Sequence, residues 1–245
     1  MRRIARRALP FQTQNALDRR QADADAKRVG GTLNIEGEWS AVRRTRPLRT
    51  VVTVLAAMTG RRERCMYCCD SHGTDIEHFW PKANYPDRMF RWPNLLLSCT
   101  ECGRFKGTKF PVESGVPQLV DPTAEDPWQY LDFDPVTGVV VARYDTTIDS
   151  ESVRGAETVK VLQLDRREAL NDGYLRTWRR LSAVLEAALR QSAPDADDLA
   201  TALREQDDHS LLGWCFSGTG QNVSPFSQLR TRYPLVWNMC AEALT

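Results

Sequence analysis

The stretch CMYCCDSHGTDIEHFWPK at residues 65–82, answered by CTECGRFKG at 99–107, decides how this chain folds. Cys65-x-x-Cys68 and Cys99-x-x-Cys102 form two knuckles. Each tight turn brings two sulfurs to one face, so two knuckles clamp one ion. Four thiolates around a tetrahedral ion make a closed structural zinc site. Cys69 falls off this spacing and reads as a spare thiol, while Cys215 and Cys240 sit among apolar residues and read as small core residues. Seven cysteines in a chain expected in the cytoplasm argue for metal ligation and free thiols, not disulfides.

Between the knuckles, TDIEHF (74–79) alternates like a strand, and RWPNLLLSC (91–99) brings an apolar run back to the second knuckle. TECGRFKGTKF then opens as a short helix. Strand, loop, strand and helix on a zinc base form a ββα unit. Upstream, VVTVLAAM (51–58) reads as a core helix with Gly60 as its C-cap. Residues 1–36 are polar and poorly periodic, with Gly30-Gly31 near the end, and read as an extended or partly helical arm. Downstream, two Asp-Pro turns precede an alternating stretch in which DPVTG is the turn of a β-hairpin. From Ala156 to Gln191 the spacing turns helical, with Leu170, Tyr174, Trp178, Leu181, Leu185 and Leu189 on one face. SPFSQLRTRYPLVWNM predicts one or two further short helices. The expected fold is α+β and mainly helical. It has a basic arm and helix (1–64), a zinc-stapled ββα module (65–112), and a hairpin with helices (113–245).

The net charge of +1 hides an asymmetry. Residues 1–64 carry fifteen Lys/Arg against six Asp/Glu, a net of +9, whereas 113–245 carry twelve against twenty-one, a net of −9. The arginines cluster at Arg2, Arg3, Arg6 and Arg7, at Arg43, Arg44, Arg46 and Arg49, and at Arg61, Arg62 and Arg64. This pattern suits a polyanionic partner, or a solvated face or internal acid–base contact. No apolar run approaches the roughly 18 residues that would span a bilayer. MRRIARRALP starts like a signal peptide, but FQTQNALDRR follows where an apolar region should be, so no membrane association is expected.

The 65–112 segment resembles an HNH endonuclease of the ββα-metal (His-Me finger) superfamily, in its form with two Cys-x-x-Cys pairs. The Glu77-His78 pair matches the acidic residue and histidine that end the first strand there, and Asn94 matches the middle asparagine. EHFWPKANYP, RWPNLLLSC, KGTKFP and LVDPTAEDP more loosely resemble HNH proteins that act beside an SMC/ABC-type ATPase in Septu and retron-linked anti-phage systems. The resemblance implies a nuclease that cuts DNA, with such an ATPase as partner. Phosphodiester hydrolysis needs a base to activate water and a cation to stabilise charge on the phosphate. A near-neutral imidazole suits the first task, and His78 is the candidate. A carboxylate suits Mg²⁺ or Mn²⁺, and Glu77 is the candidate. Asn94 would orient the base through the loop backbone. Lys82, Arg104 and Lys106 are candidate phosphate contacts.

One position departs from the family. The Asn or His that normally follows the last knuckle cysteine, as second metal ligand, is Gly103 here. Three readings stay open. Glu77, substrate phosphate and water hold the metal alone; or Asp75 or Glu101 substitutes; or activity is lost, leaving a zinc-stabilised nucleic-acid-binding or assembly subunit. Of the other histidines, His72 reads as a surface loop residue and His209 as a residue near a helix start.

Overall fold

Helices flank the cysteine-rich segment on both sides, and among the described residues every strand is short and has one partner. The computed structural model describes residues 1–147, 149–191 and 194–244. It divides into two compact units: residues 4–67 with 71–117, and residues 118–245 with 1–3 and 68–70. The architecture is α+β and mainly helical, as the sequence implies.

In the first unit, α1 (Phe11–Val29), α2 (Ile35–Val42) and α3 (Arg46–Thr59) precede the strands. The 1–36 arm is therefore far more helical than its composition suggests. Its buried stripe is Thr13, Leu17, Gln21 and Ala24, two of them polar. Gln21 is tolerated inside because its amide donates to the Pro86 carbonyl at 3.0 Å and accepts from the Phe90 N–H at 2.8 Å. Asn34 caps α2 by accepting from the Gly37 N–H at 2.9 Å. Helix α3 buries Leu48, Val51 and Leu55 and stops at Gly60, whose φ of 86° lies in the region open to glycine.

Strand β1 (Asp75–His78) pairs antiparallel with β2 (Leu95–Ser98), placing Asp75 opposite Ser98 and His78 opposite Leu95. All four β2 residues are buried, because α3 packs on this strand and α4 (Thr100–Lys106) follows it directly. A small hairpin of β3 (Val112–Glu113) and β4 (Val116–Pro117) closes this unit.

In the second unit, β5 (Leu131–Phe133) and β6 (Val140–Ala142) form the hairpin expected around DPVTG, with the Asp134 carboxylate accepting from Val136 N–H and the Thr137 hydroxyl. A minor pair, β7 (Tyr144–Asp145) and β8 (Ser150–Glu151), leads into α5 (Val153–Leu162), which packs on β6. The predicted helical run breaks once, at Gln163 in the left-handed region, before α6 (Glu168–Leu189). Its Leu170, Tyr174, Trp178, Leu181, Leu185 and Leu189 are all buried. Burying each large apolar side chain of such a stripe is worth about 1.5–3 kcal/mol. Helices α7 (Ala196–Gln206), α8 (Leu212–Ser217), α9 (Phe226–Arg232) and α10 (Pro234–Leu244) complete the unit. Among the described residues, no helix is long and apolar enough to cross a membrane.

Candidate active site and metal centre

The two knuckles converge. The sulfurs of Cys65, Cys68, Cys99 and Cys102 all lie within 4.8 Å of one another, and all four residues are buried. Four sulfurs about 2.3 Å from a tetrahedral zinc would stand about 3.8 Å apart, so the cluster fits a metal such as zinc. The backbone is arranged for thiolates as well: Cys102 N–H points at the Cys99 sulfur at 3.4 Å. Cys69 adopts a positive φ of 52° beside this cluster and supplies none of its four sulfurs. Cys215 and Cys240 are fully buried, and burial raises both thiol pKa values, to about 11 for Cys240.

Adjacent residues of a strand point to opposite faces, and Glu77 and His78 diverge accordingly. His78 is 6% exposed. Its Nε2 lies 2.9 Å from the Met89 carbonyl. A carbonyl only accepts, so Nε2 carries the hydrogen and Nδ1 keeps the lone pair. Burial depresses the imidazole pKa to about 3, so the ring is held neutral. The Trp39 ring of α2 stands edge-on to the imidazole, with centroids 4.5 Å apart. Helix α2 is fastened nearby by Glu36, which accepts from Lys82 Nζ at 2.6 Å, and by an ion pair between Glu38 and Lys27.

Asn94 fastens the intervening loop. Its Oδ1 accepts from Trp80 N–H at 2.7 Å, and its Nδ2 donates to the Trp80 and Arg88 carbonyls at 3.1 and 2.9 Å. The Arg88 carbonyl directly precedes the Met89 carbonyl that orients His78, so Asn94 and His78 grip neighbouring peptide units. Trp80 and Tyr85 of the loop form a ring cluster with Phe110, which follows α4, and the Arg88 guanidinium lies over Trp80 at 4.2 Å. Trp92 is buried, and its indole N–H donates to the Arg7 carbonyl.

Glu77 faces α4. Its Oε1 accepts from Lys106 Nζ at 2.7 Å, and the same ammonium donates to the His78 carbonyl at 2.7 Å. Lys106 is 0% exposed. Burial pushes the Glu77 carboxyl up and the Lys106 ammonium down, each shift opposed by the other's charge. The second oxygen, Oε2, looks toward Gly103. A Cβ built on Gly103 would stand 3.5 Å from Glu77 Oε2 and 3.4 Å from Ser98 Oγ, with no Asp75 or Glu101 side-chain atom within 4 Å. Ser98 Oγ is fully buried without a hydrogen-bond partner. A carboxylate oxygen beside an unsatisfied hydroxyl is a hard, all-oxygen donor set, which fits Mg²⁺ or Mn²⁺.

Of the remaining candidates, Asp75 is exposed and accepts from the Thr74 and Thr100 hydroxyls. Arg104 is exposed at the surface of α4, Lys82 is engaged by Glu36, and Lys106 lies inside. His72 is exposed, with its Nε2 3.7 Å from Glu63. His209, read from sequence as a residue near a helix start, is in fact buried. Its Nδ1 meets the Thr177 hydroxyl at 2.8 Å and its Nε2 meets Asp70 at 3.0 Å. No local signal could announce this, because its partners lie 32 and 139 residues away.

The chain is 29% identical over 121 residues to the Septu protein PtuB of Bacillus thuringiensis, covering 47% of this chain and 42% of that protein. It is 26% identical over 179 residues to the Septu protein PtuB of Bacillus mycoides (strain KBAB4), covering 60% and 57%. The matches span about half the length of these curated relatives. No family model matches the chain. The similarity supports a link to the Septu system.

Proposed function

We propose that the chain is a metal-dependent DNA endonuclease of HNH type, serving as effector of a Septu-like anti-phage system beside an SMC/ABC-type ATPase. Residues 65–112 would form the ββα-metal module, 1–64 a basic arm and helix, and 113–245 a hairpin-and-helix region. The carrying observation is the position of His78 at the end of β1, its Nε2 2.9 Å from the Met89 carbonyl in a loop that Asn94 fastens. In this reading the scissile phosphate lies across the strand end, where the faces of Glu77 and His78 meet.

His78 Nδ1 accepts the proton of the attacking water, while the Nε2–H bond to Met89 holds the ring in orientation. Glu77 Oε2 would hold Mg²⁺ or Mn²⁺, which when bound stabilises charge on the phosphate and the leaving oxygen. The exposed Arg43, Arg44, Arg46, Arg49 and Arg104 supply sequence-independent attraction to the phosphate backbone. In this reading substrate would reach the buried His78 ring only once its edge-on contact with Trp39 opens.

A second reading is a zinc-stabilised nucleic-acid-binding or assembly subunit that does not cut. It is favoured by Gly103 and by the Lys106 ammonium, which already neutralises Glu77. Supercoiled plasmid incubated with zinc-loaded protein, the ATPase and Mg²⁺ or Mn²⁺ separates the two. The nuclease reading expects nicked or linear product, abolished by His78→Ala. Intact plasmid under every metal, with and without the ATPase, would leave the second reading standing.

A further inference from the structure

Resting on the nuclease reading, we propose that Ser98 is the second protein ligand of the catalytic metal, in place of the side chain that Gly103 lacks. Three observations converge on it. Ser98 Oγ is completely buried and makes no hydrogen bond, a costly condition for a hydroxyl. The hydroxyl and Glu77 Oε2 flank the same point, 3.4 and 3.5 Å from where a Gly103 Cβ would stand. The register of the β1–β2 pair explains the convergence. Ser98 lies opposite Asp75, on the face that Glu77 also uses, so carboxylate and hydroxyl both point toward α4.

The chemistry is suitable. A serine hydroxyl ligates Mg²⁺ readily, as it does in phosphate-binding loops. Neither carboxylate named as a substitute fits as well, since Asp75 is exposed with two threonine hydroxyls and Glu101 does not approach the Gly103 position. Gly103 then has a positive role. It is the residue whose missing side chain leaves open the point that both oxygens border.

The test uses full-length, zinc-replete protein and Mn²⁺ alone, with bound Mn²⁺ counted by electron paramagnetic resonance. Wild type is expected to hold one Mn²⁺ that Glu77→Gln abolishes. Ser98→Ala is expected to weaken binding by about 10- to 100-fold, the range seen when a metal site loses a supporting group. This variant should keep one zinc per chain and an undiminished melting temperature, because it removes an unsatisfied group. Gly103→Asn is expected to tighten binding and to rescue Ser98→Ala. If Glu77→Gln abolishes binding while Ser98→Ala leaves it unchanged, the Ser98 assignment falls and the nuclease reading survives. Absence of any Mn²⁺ site sensitive to Glu77→Gln would overturn both.

Discussion

Replacing Lys106 with Met should destabilise the first unit and at the same time strengthen its hold on a divalent ion. The ammonium is completely buried and makes two 2.7 Å hydrogen bonds, to Glu77 Oε1 and to the His78 carbonyl. Removing one member of a buried ion pair costs about 3–5 kcal/mol, because the other charge is left without compensation. Glu77 keeps 17% of its side chain exposed and can recover some hydration, so about 2–4 kcal/mol is the expected loss. For a unit of this size that lowers the melting temperature by roughly 10–20 °C. Glu77→Gln should cost at least as much, since the fully buried ammonium is left with only a neutral amide oxygen to offset its charge. The double variant should come close to wild type, since replacing a buried pair together is often neutral. A double-mutant cycle on zinc-loaded protein, followed by thermal or urea unfolding, measures the coupling directly. The metal arm runs the other way. With the competing cation gone, Mn²⁺ should bind Lys106→Met more tightly and restore a larger share of its stability. A coupling energy near zero, or Mn²⁺ binding weaker than wild type, would refute the idea that Lys106 neutralises Glu77 in the metal's place.

Purified protein should carry one zinc per chain, and Cys→Ser at position 65, 68, 99 or 102 should unfold the 65–112 segment, because metal-binding energy here is folding energy. Metal analysis with circular dichroism during chelation checks both, and retention of full structure without metal would contradict it. Trp39→Leu should uncover the His78 ring and speed its carbethoxylation several-fold, read by mass spectrometry, with His72 as the exposed internal control. An unchanged rate would mean that the Met89 loop, and not α2, controls access. Charge reversal at Arg43, Arg44 and Arg46 should flatten the slope of log affinity against log salt for DNA by about 0.9 for each phosphate these arginines cease to neutralise. An unchanged slope would assign those arginines to another role.

How much could be read beforehand depended on distance along the chain. The zinc knuckles, the alternation of β1, the apolar β2, the DPVTG hairpin and the buried stripe of α6 are patterns written within a few residues. Steric and hydrophobic periodicity suffices for them. Helix α1 was only half legible, because Gln21 occupies its buried face, and its partners at Pro86 and Phe90 are 65 and 69 residues away. The motif around Glu77 and His78 was also local. What neither motif nor composition contains is what presses on each side chain. Trp39 over the imidazole, Lys106 buried against Glu77, and the unsatisfied Ser98 facing Gly103 all arise where separate elements meet. Their chemistry follows from desolvation and from which polar atoms find partners. The sequence alone thus determined where a metal could be clamped and which local patterns form the strands, hairpin and helical stripe around it. Only the tertiary structure decided which side chains are covered, neutralised or left open, because burial and hydrogen-bond satisfaction are properties of packed neighbours.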